Sequence, residues 1–224
     1  MTPYGIFIAF SFIIAASFVN LSMQDYFILF SILVSSLYFQ KLWCTMCSGS
    51  YSLATHLTII PILVALFFDC KKIHMILFAF AIACAIGRIG CYFAGCCSGK
   101  VSTSGIKYTN GVINQKTQQT IVYVYPTIFI EIILQFIIAG IVYSHSFGVI
   151  LYGILNALLL LCTSYWRYSA RTDNIYVPIL SLLFCSFVVY QKHCTPSKLT
   201  FALKPYSIVV GIILAYITSN NINV

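Results

Sequence analysis

Seven long apolar runs occupy most of this chain and constrain its fold more than any motif does. They are Tyr4–Val19, Tyr26–Leu42, Tyr51–Phe68, Ile73–Ala94, Ile121–Tyr143, Phe147–Cys162 and Tyr176–Tyr190. Crossing a bilayer takes about 20 mainly apolar residues, with a usual range of about 17–25. Runs of this length without strand-like alternation satisfy their backbone groups in lipid as helices. The expected fold is therefore all-α, a polytopic transmembrane helix bundle of about seven spans. Pro205–Thr218 is a short eighth candidate, a span or a re-entrant piece by length alone.

Composition supports the same class. Apolar residues make up 61% of the chain and charged residues 7%, with a mean hydropathy of +0.97. Soluble chains run about 45–50% apolar and about 25% charged, so a soluble enzyme, a nucleic-acid-binding domain and a disordered chain are excluded, and no nucleic-acid partner is expected. The net charge of +8 comes from 12 Lys and Arg against four acids, Asp25, Asp69, Glu131 and Asp173. It reflects scarce acid rather than a basic patch. Met1–Pro3 lacks the positive segment of a cleavable signal, so the first run is expected to remain as a span.

The chain reads as one transmembrane domain, residues 1–224, without an internal repeat. Residues 95–120 form its one sizeable polar stretch, an extramembrane loop carrying Lys100, Lys107 and Lys116. Alternating spans would put Lys41, Lys100, Lys107, Lys116, Arg167 and Arg171 on one side, and Lys71, Lys72, Lys192, Lys198 and Lys204 on the other. That balance gives the positive-inside rule nothing to act on.

Charged groups inside spans cost at least about 2.5–3.5 kcal/mol at mid-bilayer and are functional candidates by default. Two stand out, Arg88 within Ile73–Ala94 and Glu131 within Ile121–Tyr143. Both lie near the ends that adjoin the polar loop, at similar depth on one side. They can pair as a structural element, and a guanidinium there would also hold a phosphate through two bonds. Cys84, Arg88 and Cys91 share one helix face, and the glycines at 87, 90, 95 and 99 allow close approach by a neighbour or a lipid headgroup.

The ten cysteines do not describe a secreted disulfide framework. Cys84, Cys162 and Cys185 sit inside apolar runs as small hydrophobes. Cys44-Thr-Met-Cys47 falls in the loop after the second run, on the same side as Cys91, Cys96 and Cys97. Three readings stay open for this set: inert packing, disulfide or thiol chemistry, and a tetrahedral metal. Adjacent Cys96 and Cys97 are poor geometry for one ion, so neither a metal nor a cofactor is expected.

The run Gly87-Arg88-Ile89-Gly90 through Gly99-Lys100 resembles the central signature of the prolipoprotein diacylglyceryl transferase family, in a variant branch with Gly-Cys-Cys where the enzymes have Gly-Glu. Tyr4-Gly5, Tyr125-Pro126-Thr127 through Glu131, and Tyr152-Gly153 resemble further family landmarks in the same order, so that the likeness reaches from position 4 to about position 190. The resemblance implies a seven-span enzyme of the bacterial inner membrane. It would move the diacylglyceryl group of phosphatidylglycerol to a lipoprotein cysteine thiol and release glycerol phosphate. The partners are then an anionic phospholipid and a prolipoprotein, with the first terminus and the long loop outside the cytoplasm.

Carried over residue by residue, the resemblance makes Arg88, Glu131 and Tyr4 the catalytic candidates. Gly90, Cys91, Gly99, Lys100 and Asn156 become the substrate-binding candidates. The chain departs from the family pattern at several points. Cys91 and Ala94 stand in place of two asparagines, Cys96 in place of a glutamate, and Asn156 and Leu160 in place of an arginine and a glutamate. The third-span His-Gly-Gly is not recoverable, and His56 fits it only with a shifted register. Arg167 and Arg171 either replace the lost arginine or, beside Trp166 and Tyr168, anchor the chain at the interface. The competing functions are a non-catalytic lipid-binding or assembly protein on the same scaffold and a small-solute transporter. The second would favour an inverted repeat or paired broken helices, and neither is present in the sequence.

Overall fold

The computed structural model describes residues 2–47, 53–145, 147–167, 183 and 205–221. The elements are α1 (Pro3–Ser17), α2 (Met23–Cys47), α3 (Leu53–Phe67), α4 (Cys70–Phe93), β1 (Val101–Tyr108), α5 (Val112–Thr117), β2 (Val122–Val124), α6 (Thr127–Ser144), α7 (Gly148–Trp166) and α8 (Pro205–Asn221). The molecule is a helical membrane protein. Among the described residues α4, α6 and α7 are long and apolar enough to cross a bilayer. Shorter apolar stretches are Tyr4–Ser17, Met23–Ser35 and Ser207–Tyr216. The span expected at Tyr176–Tyr190 lies outside the described residues except for position 183.

Local chemistry sets the helix starts. Thr2 caps α1 by accepting the Gly5 backbone N–H at 3.2 Å, with Pro3 at the first helical position. Ser22 and Asp25 form a reciprocal capping pair at α2, the Ser22 backbone N–H donating to Asp25 Oδ2 at 3.0 Å and the Asp25 N–H donating to Ser22 Oγ at 3.2 Å. Lys72 then reaches Asp25 at 2.9 Å and ties the start of α2 to the start of α4.

Helix α4 is the centre of the bundle, packing against α1 and α6, with α7 behind α6 and α8 behind α1. Its buried residues run from Ile73 to Cys91 and include every position from Ala85 to Arg88. Two glycines bring backbones together around α1. A Cβ on Gly90 would sit 2.9 Å from the Phe7 Cβ, and one on Gly211 of α8 would sit 2.8 Å from Ile13. The first core fills the bundle, and a second gathers Cys91, Tyr108, Ile113, Val122, Val124 and Ile128 where α4 and α6 meet the polar segment.

That polar segment is not an irregular loop. Strands β1 and β2 pair antiparallel, with Lys107 opposite Tyr123, Tyr108 opposite Val122, and a bulge between Val101 and Ile106. The buried Asn114 amide of α5 closes the cap by donating to the carbonyls of Tyr108, Gln119 and Thr120 at 3.0–3.1 Å.

Two boundaries differ from the sequence reading. The apolar run Ile121–Tyr143 divides at Pro126 into strand β2 and helix α6, because the residue before a proline avoids helical backbone and Val122–Val124 finds a strand partner. Helix α2 continues through Cys47, so Cys44 and Cys47 lie in its last turn rather than in a loop. Their side chains, and that of His56 in α3, lie outside the described residues.

Candidate functional site

Arg88, Glu131 and Arg167 converge where α4, α6 and the end of α7 meet beneath the cap. Their exposures are 3%, 2% and 5%. Arg88 is ion-paired with Glu131, its Nε 2.7 Å from Oε2. Arg167 grips the same carboxylate from another side, with Nη2 2.8 Å from Oε1 and 2.9 Å from Oε2, and Nε 3.2 Å from Oε1. One buried anion is thus shared by two buried cations, and the cluster carries a net +1. The Arg88 Nη1 has no hydrogen-bond partner among the described residues.

The fold holds Arg167 in place through the backbone. Lys100 N–H donates to the Trp166 carbonyl at 2.7 Å, the Thr127 hydroxyl reaches that carbonyl at 3.5 Å, and Gly99 bridges Arg167. Gly99 admits this crossing because a Cβ there would lie 2.6 Å from Thr127 Oγ1.

Beside the charges sit three thiols. The ligand sulfurs of Cys91, Cys96 and Cys97 all lie within 4.8 Å of one another, Cys91 buried and the other two half-buried. Cys96 Sγ lies 3.6 Å from the Cys91 carbonyl oxygen. Cys97 has φ 57°, a left-handed conformation uncommon outside glycine. Hydrogen bonds from the Cys91 and Cys96 thiols pull the Cys97 thiol well below its usual range, helped by the Arg88 and Arg167 charges. Hydrogen bonding with Cys91 and Cys97 raises the Cys96 thiol.

The expected site residues are distributed as follows. Arg88, Glu131, Cys91 and Tyr4 come together, Tyr4 packing half-buried against the second core and within electrostatic reach of Arg88 and all three thiols. Gly90 faces α1 and Gly99 underlies Arg167. Lys100 turns outward, with Nζ 4.6 Å from the centre of the Tyr165 ring. Asn156 is buried, and its hydrogen bonds go to Gln135 and its own helix: its Oδ1 accepts from Gln135 Nε2 at 2.8 Å, and its Nδ2 donates to the Tyr152 carbonyl.

Of the two arginines left open by the sequence, Arg167 joins the site, and Arg171 lies outside the described residues. Thr127 and Gln135 flank the site without having been singled out as candidates, and Cys97 was named only among the thiols whose reading stayed open. Gln135 carried a signal that was there to read, an amide one helical turn beyond Glu131 on the same face of an otherwise apolar run.

The family model for prolipoprotein diacylglyceryl transferase matches residues 26–190. No curated protein and no solved structure matches the chain. The matched segment runs from α2 past α7 and contains the whole charge cluster and all three thiols, leaving Tyr4 and α8 outside it. With well over half its length matched, the chain belongs to the prolipoprotein diacylglyceryl transferase family.

Proposed function

We propose that this protein transfers the diacylglyceryl group of phosphatidylglycerol to the cysteine thiol of a prolipoprotein, at the face of a bacterial inner membrane where the cap lies. Family membership supports a transferase that works on membrane lipid and lipoprotein. The observation that carries the finer reading is the buried Arg88–Glu131–Arg167 cluster with its surplus positive charge and the unpartnered Arg88 Nη1.

The reaction breaks the bond between glycerol C3 and a phosphate oxygen, so negative charge grows on the departing glycerol phosphate. A fixed guanidinium aimed at that charge stabilises it in a site that excludes water. Arg88 is the catalytic residue in this reading, donating through Nη1. Glu131 and Arg167 are positioning residues, because the shared carboxylate prevents the two guanidinium groups from repelling one another. Tyr4 borders the same space. Cys91 and Gly99 flank the headgroup position, Gly90 lets α1 bring Tyr4 close to it, and Lys100 at the cap surface attracts the anionic lipid. Asn156 and Gln135 order the wall one turn deeper. Exposed Phe129, Ile133, Phe136 and Leu158 on α6 and α7 suit contact with lipid tails.

The test is turnover by the purified chain in phosphatidylglycerol vesicles with a lipobox peptide, scoring glycerol phosphate and lipidated peptide. Removing one donor of this kind costs about 10²–10³ in rate, so Arg88→Gln is expected to lose that much while remaining folded. Lipid binding without turnover in the unaltered protein would instead support the assembly role.

A further inference from the structure

We propose that Cys91, Cys96 and Cys97 form a site for a thiophilic divalent cation of the zinc class, whose open fourth position takes the acceptor thiol of the transfer reaction. The metal site stands on the geometry of the thiols; its role in catalysis rests on the transferase reading above.

The spacing of the sulfurs is the first argument. Zinc–thiolate bonds are about 2.3 Å in tetrahedral sites, which places ligand sulfurs about 3.8 Å apart. The three sulfurs here all lie within 4.8 Å of one another, so a small inward adjustment gives three ligands to one ion. Neighbouring cysteines in an extended chain point to opposite faces, which is why Cys96 and Cys97 read poorly as a pair from sequence. The left-handed backbone at Cys97, φ 57°, removes that obstacle by turning its side chain to the same side as Cys96. Gly95 at φ +61° makes the preceding turn out of α4.

Charge is the second argument. Arg88 and Arg167 against Glu131 leave +1 buried beside the thiols. Three thiolates around a divalent cation carry −1, so the metal site neutralises its surroundings and leaves the Arg88 Nη1 for phosphate. Exposure is the third argument. Cys91 is buried while Cys96 and Cys97 are half-buried, so the cluster is less covered on the side of Cys96 and Cys97, where a fourth ligand would have to enter.

Such a device also suits the chemistry. Thiol alkylation requires a thiolate. The one carboxylate described at the site, Glu131, is engaged by both guanidinium groups and is not available as a base. Coordination to a cation deprotonates a thiol outright. The acceptor thiol would release its proton to solvent on entering the fourth position, and its sulfur lone pair would then form the bond to glycerol C3. The C3–O bond breaks with its electrons going to oxygen, and glycerol phosphate leaves against Arg88. No electrons are gained or lost overall.

The experiment uses the full chain purified in detergent without chelators. Elemental analysis should find one zinc per chain, and cobalt exchanged into the stripped protein should show thiolate-to-cobalt charge-transfer absorption. Cys96→Ser and Cys97→Ser should lose both signals, while Cys44→Ser/Cys47→Ser keeps them. Chelation should abolish peptide lipidation in phosphatidylglycerol vesicles, and zinc should restore it.

Lipidation by a chain with no metal and no charge-transfer band would overturn the metal site and leave the proposed transferase standing. Zinc and a charge-transfer band without lipidation under any condition would sink the transferase reading, and with it the fourth-position role, while upholding the three-thiol site. Zinc that follows Cys44 and Cys47, or a disulfide among the three thiols in the protein as isolated, would also overturn the site. Stripping and reloading the unaltered chain gives the answer even where a serine variant fails to fold.

Discussion

Glu131 is the residue on which the buried charges depend. Two guanidinium groups share it, and removing one partner of a buried ion pair costs about 3–5 kcal/mol by leaving the other uncompensated. The three members are therefore unequal. Glu131→Gln leaves two buried cations facing each other and should lower stability by at least about 3–5 kcal/mol, read as a fall in the detergent-unfolding midpoint. Arg88→Gln leaves Glu131 paired with Arg167, so its unfolding midpoint should fall clearly less. Equal losses from both variants would mean that the cluster does not share one anion. Gly99 is a second sensitive position. Its added Cβ would meet Tyr125 and Thr127, so Gly99→Ala should displace the crossing that holds Arg167 and reduce turnover without a change in helix content by circular dichroism.

Among the elements, α1 is the one whose placement depends most on small residues. It lies between α4 and α8, with Gly90 and Gly211 allowing its backbone to approach both. Overpacking a close contact costs about 1–3 kcal/mol, and here it would also carry Tyr4 away from the thiols. Gly90→Leu should therefore lower both stability and turnover. Gly211→Leu, on the far side of α1 from the site, should lower stability with a smaller effect on turnover, and comparing thermal midpoints with rates separates the two. The cap depends on a similar contact, since a Cβ on Gly95 would sit 2.6 Å from the Gly111 Cα, with both glycines at positive φ. Gly111→Ala should loosen the cap, seen as faster limited proteolysis between β1 and β2.

For the whole molecule, the site lies at one end of α4 and the Asp25–Lys72 contact lies toward the other, sixteen residues earlier on the helix. At about 1.5 Å per residue that separation is about 24 Å, most of the thickness of a hydrocarbon core. A bilayer-spanning α4 would therefore place the two ends at different surfaces. If the cap lies outside the cytoplasm, an impermeant amine reagent applied to spheroplasts should label Lys107 and Lys116 and spare Lys71. The reverse pattern would invert the orientation. The Asp25–Lys72 bridge is partly open to solvent, and pairs of that kind contribute about 0–1 kcal/mol, so Lys72→Gln should leave the unfolding midpoint nearly unchanged.

Much of this architecture was legible in the sequence, because lipid leaves a long apolar run few choices. The runs that became α1, α4 and α7 were readable to within a few residues, and Arg88 and Glu131 stood out as charges with no solvent to meet. Sequence patterns could not show that the run from Ile121 breaks into strand and helix, since a short strand is defined by a partner elsewhere in the chain. Nor could they settle whether Arg167 served the site or the interface, because its contact with Glu131 bridges 36 positions. Asn156 was placed by likeness to an arginine position, and the structure instead pairs it with Gln135. The three thiols make the same point. Their identities were plain from the start, but their convergence depended on one left-handed residue at Cys97. Hydrophobicity alone determined that this chain enters a membrane as helices, through an energy that adds up locally along each run. The tertiary structure alone decided which polar groups meet, because those contacts arise from packing between distant segments that no local pattern encodes.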